Sequence, residues 1–286
     1  MKYAFIRENK GRYAIEIMCR VLEVSRSGYY DWIERGVSKR AVRQGELLNQ
    51  ITAIHKESRE TYGSPRILRA IKSTGRTVNH KTVESIMRKS GIRARTKKKY
   101  KHTTDSNHKL PVAQNLLNRE FATKKPNLVW VTDITYCATE EGWMYLATYI
   151  DLFSRKVVGW SMSSRMTADL VIDALRMAIF RQKKAPLMVH SDRGSQYASD
   201  AFRKELVRHR CMQSMSKEGD CWDNAVAESF FGTLKKELVQ HEKYNTREAA
   251  RLSIFDYIET FYNRKRSHSR LNYLSPEEFE RSAGTA

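Results

Sequence analysis

Between residues 127 and 238 the hydrophobic pattern changes period several times, and each change predicts an element. LVWVTDITYC (128–137), WMYLATYIDL (143–152) and KVVGWSMS (156–163) are rich in β-branched and aromatic residues and read as three successive strands. EEG at 140–142 and DLFSR at 151–155 separate them. TADLVIDALRMAIFRQ follows, with Leu170, Val171, Ala174, Leu175 and Ala178 at helical spacing. Then come a buried strand, PLMVH (186–190), a helix near 198–209 and a short strand around CMQSMS. The last element is a helix capped by Asp223 or Asn224, with Ala225, Phe231, Leu234 and Leu238 on its apolar stripe. A doubly wound nucleotide-binding sheet would alternate strand and helix from the outset and open on a glycine-rich turn. This segment does neither.

On both sides of that segment the pattern is helical. Residues 13–35 predict two short helices around a turn, with Ile15, Met18, Cys19 and Leu22 as the apolar stripe and Ser25 capping the second. That is helix-turn-helix spacing, and it offers Arg26, Tyr29 and Tyr30 to a partner. A helical pattern returns from Gln44 to Lys56. A further helix is expected with Ser64 as cap and Pro65 at its first position, then another between Asn79 and Gly91. Residues 92–109 lack periodicity and are basic. Beyond the strand-rich segment a tail helix starts at Thr246, with Leu252, Phe255, Ile258 and Phe261 on one stripe; Ser275 and Pro276 open a terminal helix. The expected division is therefore 1–45 and 46–95 as two helical modules, 96–126 as a basic linker, 127–245 as an α/β core and 246–286 as a helical tail.

Charge sharpens this. The net charge is +20 over 286 residues, and residues 1–110 carry +16 of it. A surplus concentrated in one region is the footprint of a polyanion-binding surface. Arg26, Tyr29, Arg66, Lys97, Lys98, Lys99, Arg193 and Arg264 are the candidate DNA contacts, with Asn263 and Arg266 beside the last. No apolar run approaches 18 residues and the N-terminus lacks a signal-peptide pattern, so a cytoplasmic, nucleoid-associated protein with no membrane partner is expected. The four cysteines show no CxxC spacing, which argues against a structural zinc and for reduced thiols.

Candidate chemistry lies in the acidic residues. Asp133 interrupts an otherwise apolar strand, where a charge is costly unless it faces a cleft or a cation. Asp192 directly follows the strand PLMVH. Glu228 stands 36 positions later on the predicted helix, with Lys235 two turns further, roughly 10 Å along the axis. Carboxylates from two strands and one helix would hold two Mg²⁺ ions, with Mn²⁺ an acceptable substitute, and would support in-line phosphoryl transfer. Asp151, His190 and Trp222 read as structural residues.

WVTDITY, HSDRGSQY and DNAVAESFFGTLKKEL resemble the three catalytic blocks of DDE transposases and retroviral integrases, and are most similar to the OrfB part of the insertion-sequence-three transposase family. The resemblance runs from about residue 13 to the LSPEEF segment. It implies an RNase H-like mixed five-stranded sheet with flanking helices, preceded by small helix-turn-helix-like modules. It also implies Asp133, Asp192 and Glu228 as the catalytic, metal-binding triad, with Lys235 meeting phosphate. The implied substrates are element terminal inverted repeats and target DNA, handled by a homo-oligomer, with an OrfA protein as partner or fusion. Two other functions stay open on the sequence: a DNA-binding regulator or assembly partner without catalysis, and an RNase H-like nuclease that cuts without joining.

Overall fold

The computed structural model describes residues 1–36, 38–95, 110–217 and 221–284. Three short helices come first: α1 (Lys2–Asn9), α2 (Ile15–Val21) and α3 (Arg26–Glu34). They close a small core of their own from Ile6, Met18, Cys19 and Tyr29, with Ser25 accepting the Gly28 N–H as the cap of α3. α1 had no signal in the sequence, because it buries a single residue, Ile6, and so shows no stripe.

α4 (Lys39–Glu57), α5 (Ser64–Ser73) and α6 (His80–Lys89) form the second helical unit. α4 starts at Lys39 and runs through the division expected at residue 45. Asn79 caps α6 by accepting the Lys81 N–H, and Gly91 at φ +69° takes the left-handed turn beyond it. Ser64 does not cap α5; Gly63 holds that position, and the Ser64 hydroxyl pairs with His80 Nε2 at 3.1 Å.

The central sheet has strands β1 (Val129–Thr139), β2 (Gly142–Asp151), β3 (Val157–Ser163), β4 (Met188–Ser191) and β5 (Met212–Met215). Their order is β3-β2-β1-β4-β5, antiparallel across the first three and parallel from β1 to β5. This is the mixed sheet of an RNase H-like core. One face packs on α7 (Ala168–Gln182), α8 (Ser195–Ala198) and α9 (Asp200–Arg208) through Trp130, Tyr149, Val158 and Phe202. Gly159 permits that approach, since a Cβ there would lie 2.4 Å from the Ala174 carbonyl on α7. The other face carries Val131, Leu146, Ile150 and Trp160 against α10 (Ala225–Glu237) and α11 (Arg247–Asp256).

α11 continues as a π-helical turn, Tyr257–Tyr262. The buried stripe, Ala250, Ile254, Tyr257, Ile258 and Phe261, keeps ordinary helical spacing into that turn. Leu252 and Phe255, expected on that stripe, are exposed. The same turn delivers Asn263 to the Val157 peptide, where its side chain accepts the N–H and donates to the carbonyl, both at 3.0 Å. Asn263 is therefore a core residue and no DNA contact. α12 (Pro276–Gly284) closes the chain, with Ser275 and Glu278 capping each other reciprocally.

The second helical unit is not a separate body. Leu47, Ile51, Tyr62, Ile67 and Ile71 belong to the same continuous core as Tyr257 and Phe261. Arg59 pairs with Asp256 at 2.6 Å, and the Tyr62 hydroxyl donates to the Lys265 carbonyl and accepts the Ser267 N–H. No helix among the described residues is long and apolar enough to cross a membrane.

Candidate active site

The parallel pairing of β1 with β4 ends at Val131↔His190. Asp133 and Asp192 each lie two residues beyond that pair. Because strand side chains alternate, Asp133 shares the face of Val131, the face covered by α10. Asp133 is in mid-strand, at the point where β4 has stopped covering β1. Burial pushes its carboxyl well above the usual range, and the neighbouring charges of Asp192 and Glu228 push the same way; the Ile134 N–H, donated at 2.7 Å, and Lys235 oppose them. Three carboxylates and one lysine thus share a single electrostatic environment.

Local structure fixes each of them. Asp192 caps its own turn by accepting the Gly194 N–H at 3.0 Å, and a Cβ on Gly194 would stand 3.1 Å from the same carboxylate oxygen. Glu228 sits on the exposed side of the first turn of α10. That turn is anchored by Asn224, whose side chain donates to the Thr132 carbonyl, next to Asp133, at 3.1 Å. Asn224 occupies the cap position but spends its amide on β1 instead of on the helix. Asp223 accepts from Asn115, Arg119 and the Lys217 N–H, which ties the start of α10 to the connecting segment and to the end of β5. Lys235 places its ammonium 4.9 Å from the centroid of the Tyr136 ring. Asn224, Asp223 and Tyr136 lacked any signal as site residues; only their position inside the conspicuous blocks pointed to them.

Behind the site, His190 is fully buried and structural. The Ser214 hydroxyl accepts the Leu116 and Leu117 N–H groups, so its own hydrogen goes to His190 Nδ1 at 2.8 Å. Burial lowers this imidazole to about 4. Asp151 is structural too: it is buried and accepts from the Asn127, Phe153 and Ser154 N–H groups.

The candidate DNA contacts separate by environment. Tyr29 is fully buried in the core of the first helical unit, which removes it as a contact; its ring was read as outward because the stripe of α3 is too short to show phase. Arg266 is also interior, in a bidentate pair with Glu237 at 2.8 and 2.7 Å. Arg66 lies half-buried between Glu237, at 3.9 Å, and the Tyr62 ring, so it joins two parts of the protein. Arg193 is half-buried and donates from Nε to the Ser216 carbonyl. Arg26 and Arg264 are exposed, each within ion-pair distance of a glutamate, Glu16 at 3.8 Å and Glu277 at 3.7 Å. Lys97, Lys98 and Lys99 lie outside the described residues, as does the side chain of Trp222.

All the donors of the cluster are carboxylate oxygens, which suits a hard divalent cation that retains waters. Among the described residues no group of three or more His, Cys, Asp or Glu is gathered closely enough to hold a metal ion. Glu228, on the solvent side of α10, leaves the arrangement open.

Comparison with known proteins assigns both halves of the chain. Residues 123–221 and 228–283 match two models described as integrase core domain, and residues 43–100 match an HTH-like domain. The chain is 45% identical over 283 residues to the transposase InsF for insertion sequence IS3A of Escherichia coli strain K12, covering 98% of each protein. It is 44% identical over 263 residues to the insertion element IS600 uncharacterized 31 kDa protein of Shigella sonnei, covering 92% of this chain and 97% of that one. Among solved structures, the HTLV-2 integrase catalytic core domain in complex with magnesium aligns at 19% identity and a TM-score of 0.43, over 55% of this chain and 98% of that one.

Proposed function

The chain belongs to the IS3 family of transposases, DNA-cleaving and DNA-joining enzymes with an integrase core, and from that premise we propose that Asp133, Asp192 and Glu228 are its catalytic triad. The observation that carries this reading is the buried Asp133 carboxyl, held against the charges of two further carboxylates at the place where β4 ceases to cover β1. Like charges gathered in a partly buried site are costly, and a cation offsets that cost.

The donor set fits Mg²⁺, with Mn²⁺ as a substitute. Two such ions, when bound, would supply activation of an attacking oxygen and neutralisation of charge at phosphorus. The chain's own residues do the rest. The sheet and the Gly194 turn hold Asp133 and Asp192, and Asn224 anchors the start of α10, the helix that carries Glu228. Lys235, steadied over Tyr136, places a positive charge near the site for a DNA phosphate. Water attacks first, and the freed 3′-hydroxyl then attacks the target phosphate. One triad serves one such centre, so joining two element ends calls for at least two chains on DNA. The first helical unit, α1 to α3, and the second, α4 to α6, act as DNA-binding modules, residues 96–126 form a basic linker to the core, and an OrfA protein is the expected partner.

The deciding experiment is strand transfer on paired element ends with Asp133→Asn, Asp192→Asn and Glu228→Gln. Each should abolish both cleavage and joining with a native circular dichroism spectrum. Near-normal activity of Glu228→Gln under the same metal conditions would remove it from the triad.

A further inference from the structure

A cavity of about 220 Å³ is lined by residues of α10 and of the tail. Arg155, His268 and Arg270 line it together with Ala225, Ser229 and Thr233. Arg155 is only 3% exposed. Its Nη2 donates to the Phe121 carbonyl at 2.8 Å, but its Nη1 is buried with no hydrogen-bond partner, and His268 Nδ1 is in the same condition. Asp151, the nearest acidic neighbour in sequence, has its oxygens engaged by three backbone N–H groups.

The charged side chains that line the cavity are arginines. Burial and the charge of Arg270 lower Arg155 to about 10, which leaves it protonated at neutral pH. Burial, then Arg266, Arg155, Arg66 and Arg270, lower His268 to about 4. A buried guanidinium with an unmet donor is costly to leave unsatisfied, on the order of 1–3 kcal/mol. What would complete it is a small anionic acceptor with several oxygens, matched to a guanidinium edge, an imidazole and the Ser229 hydroxyl. The cavity also opens beside the N-terminal turn of α10, where helix N–H groups favour an anion.

We propose that this cavity, formed by Arg155, His268, Arg270 and Ser229, binds a backbone phosphate of DNA next to the active site. The inference rests on the transposase reading for the identity of the ligand, since Ser229 adjoins Glu228 and a strand lying over the carboxylates would reach the cavity with a neighbouring phosphate. It contributes binding and register of the strand and takes no part in the chemistry.

The test uses the full chain without divalent metal, so that the carboxylates' chemistry does not enter. Binding of a short fluorescein-labelled duplex is measured by anisotropy across a salt series for wild type, Arg270→Ala, Arg155→Gln and Ser229→Ala. Arg270→Ala and Arg155→Gln should weaken binding roughly tenfold, and each should reduce the salt slope by about 0.9. Arg155→Gln should also keep or raise the melting temperature, because it removes a buried charge lacking a full set of partners; a purely structural arginine would lower it. Wild-type affinity and slope in both arginine variants would overturn the proposal. Inorganic phosphate followed by ³¹P NMR forms the second arm: binding that is lost in Arg155→Gln while duplex affinity is unchanged would assign the cavity to free phosphate and likewise overturn it. Neither result touches the triad, which the strand-transfer variants test separately.

Discussion

Asp133 and Asp192 stand at matching positions on neighbouring parallel segments, each two residues past the Val131–His190 pair. The pairing register therefore sets how close the two backbones come, and the Gly194 turn just past β4 fixes the Asp192 carboxylate. The arrangement stores repulsion: burial and the Asp192 charge both work against ionised Asp133. Asp133→Asn should stabilise the metal-free protein by about 1–2 kcal/mol and should abolish any rise in melting temperature on adding Mg²⁺. Differential scanning fluorimetry with and without the ion checks both. A destabilised variant with an unchanged Mg²⁺ response would contradict this account of the site.

Much of the sheet and the acidic cluster was legible in the sequence, for physical reasons. Asp133 and Asp192 interrupt or end apolar strand patterns where only a cleft makes a charge tolerable, and Glu228 lies in a long, distinctive block. What escaped notice depends on tertiary contacts. The tail's expected stripe counted every third residue, whereas the buried one repeats at steps of three and four, so Leu252 and Phe255 fell off the buried face. Asn224 looked like a cap because Asn is a good one, yet its amide is claimed by Thr132 across the sheet. Tyr29, Arg66 and Arg266 have residue types that suit DNA, and only packing shows that they face inward.

Glu237 and Arg266 make a buried bidentate ion pair, joined by the Tyr257 hydroxyl at 2.7 Å. Removing one partner leaves an uncompensated charge in the core, so Glu237→Gln should cost about 3–5 kcal/mol. The double variant Glu237→Gln/Arg266→Met should recover part of that loss. Urea denaturation of the four members of the cycle measures the coupling, and additive losses would show that the pair does not act as a unit.

His268 gives acid sensitivity with a defined sign. Its folded value, about 4, lies below the ordinary 6.5, so the unfolded chain binds the proton more readily between those limits. Its contribution to stability is complete above about pH 6.5 and is lost as the pH falls towards 4, on the order of 2 kcal/mol after solvent screening. The charges facing it are Arg266, Arg155, Arg66 and Arg270, and none titrates in that window. Thermal melts of wild type and His268→Asn from pH 7 to 4 should converge at the acid end. Parallel curves would assign the acid loss to other groups.

The two N-terminal helical units differ in what their removal should do. Residues 1–36 close their own small core and carry seven basic and five acidic residues, a net charge of only +2. Residues 37–110 carry +14, and Leu47, Ile51 and Ile67 within them share a core with Tyr257 and Phe261. Deleting 1–36 should therefore leave the melting temperature within a few degrees of the full chain and the salt slope of duplex binding almost unchanged. Deleting 1–95 should lower both, because it uncovers the apolar surface of the tail and removes most of the counterion-releasing charge. If the shorter deletion abolished non-specific binding with its salt dependence, the electrostatic surface would lie in the first unit despite its near-neutral composition. If it spared non-specific binding but lost discrimination between element ends and random duplex, the first unit would be the reader of sequence and the second the holder of backbone.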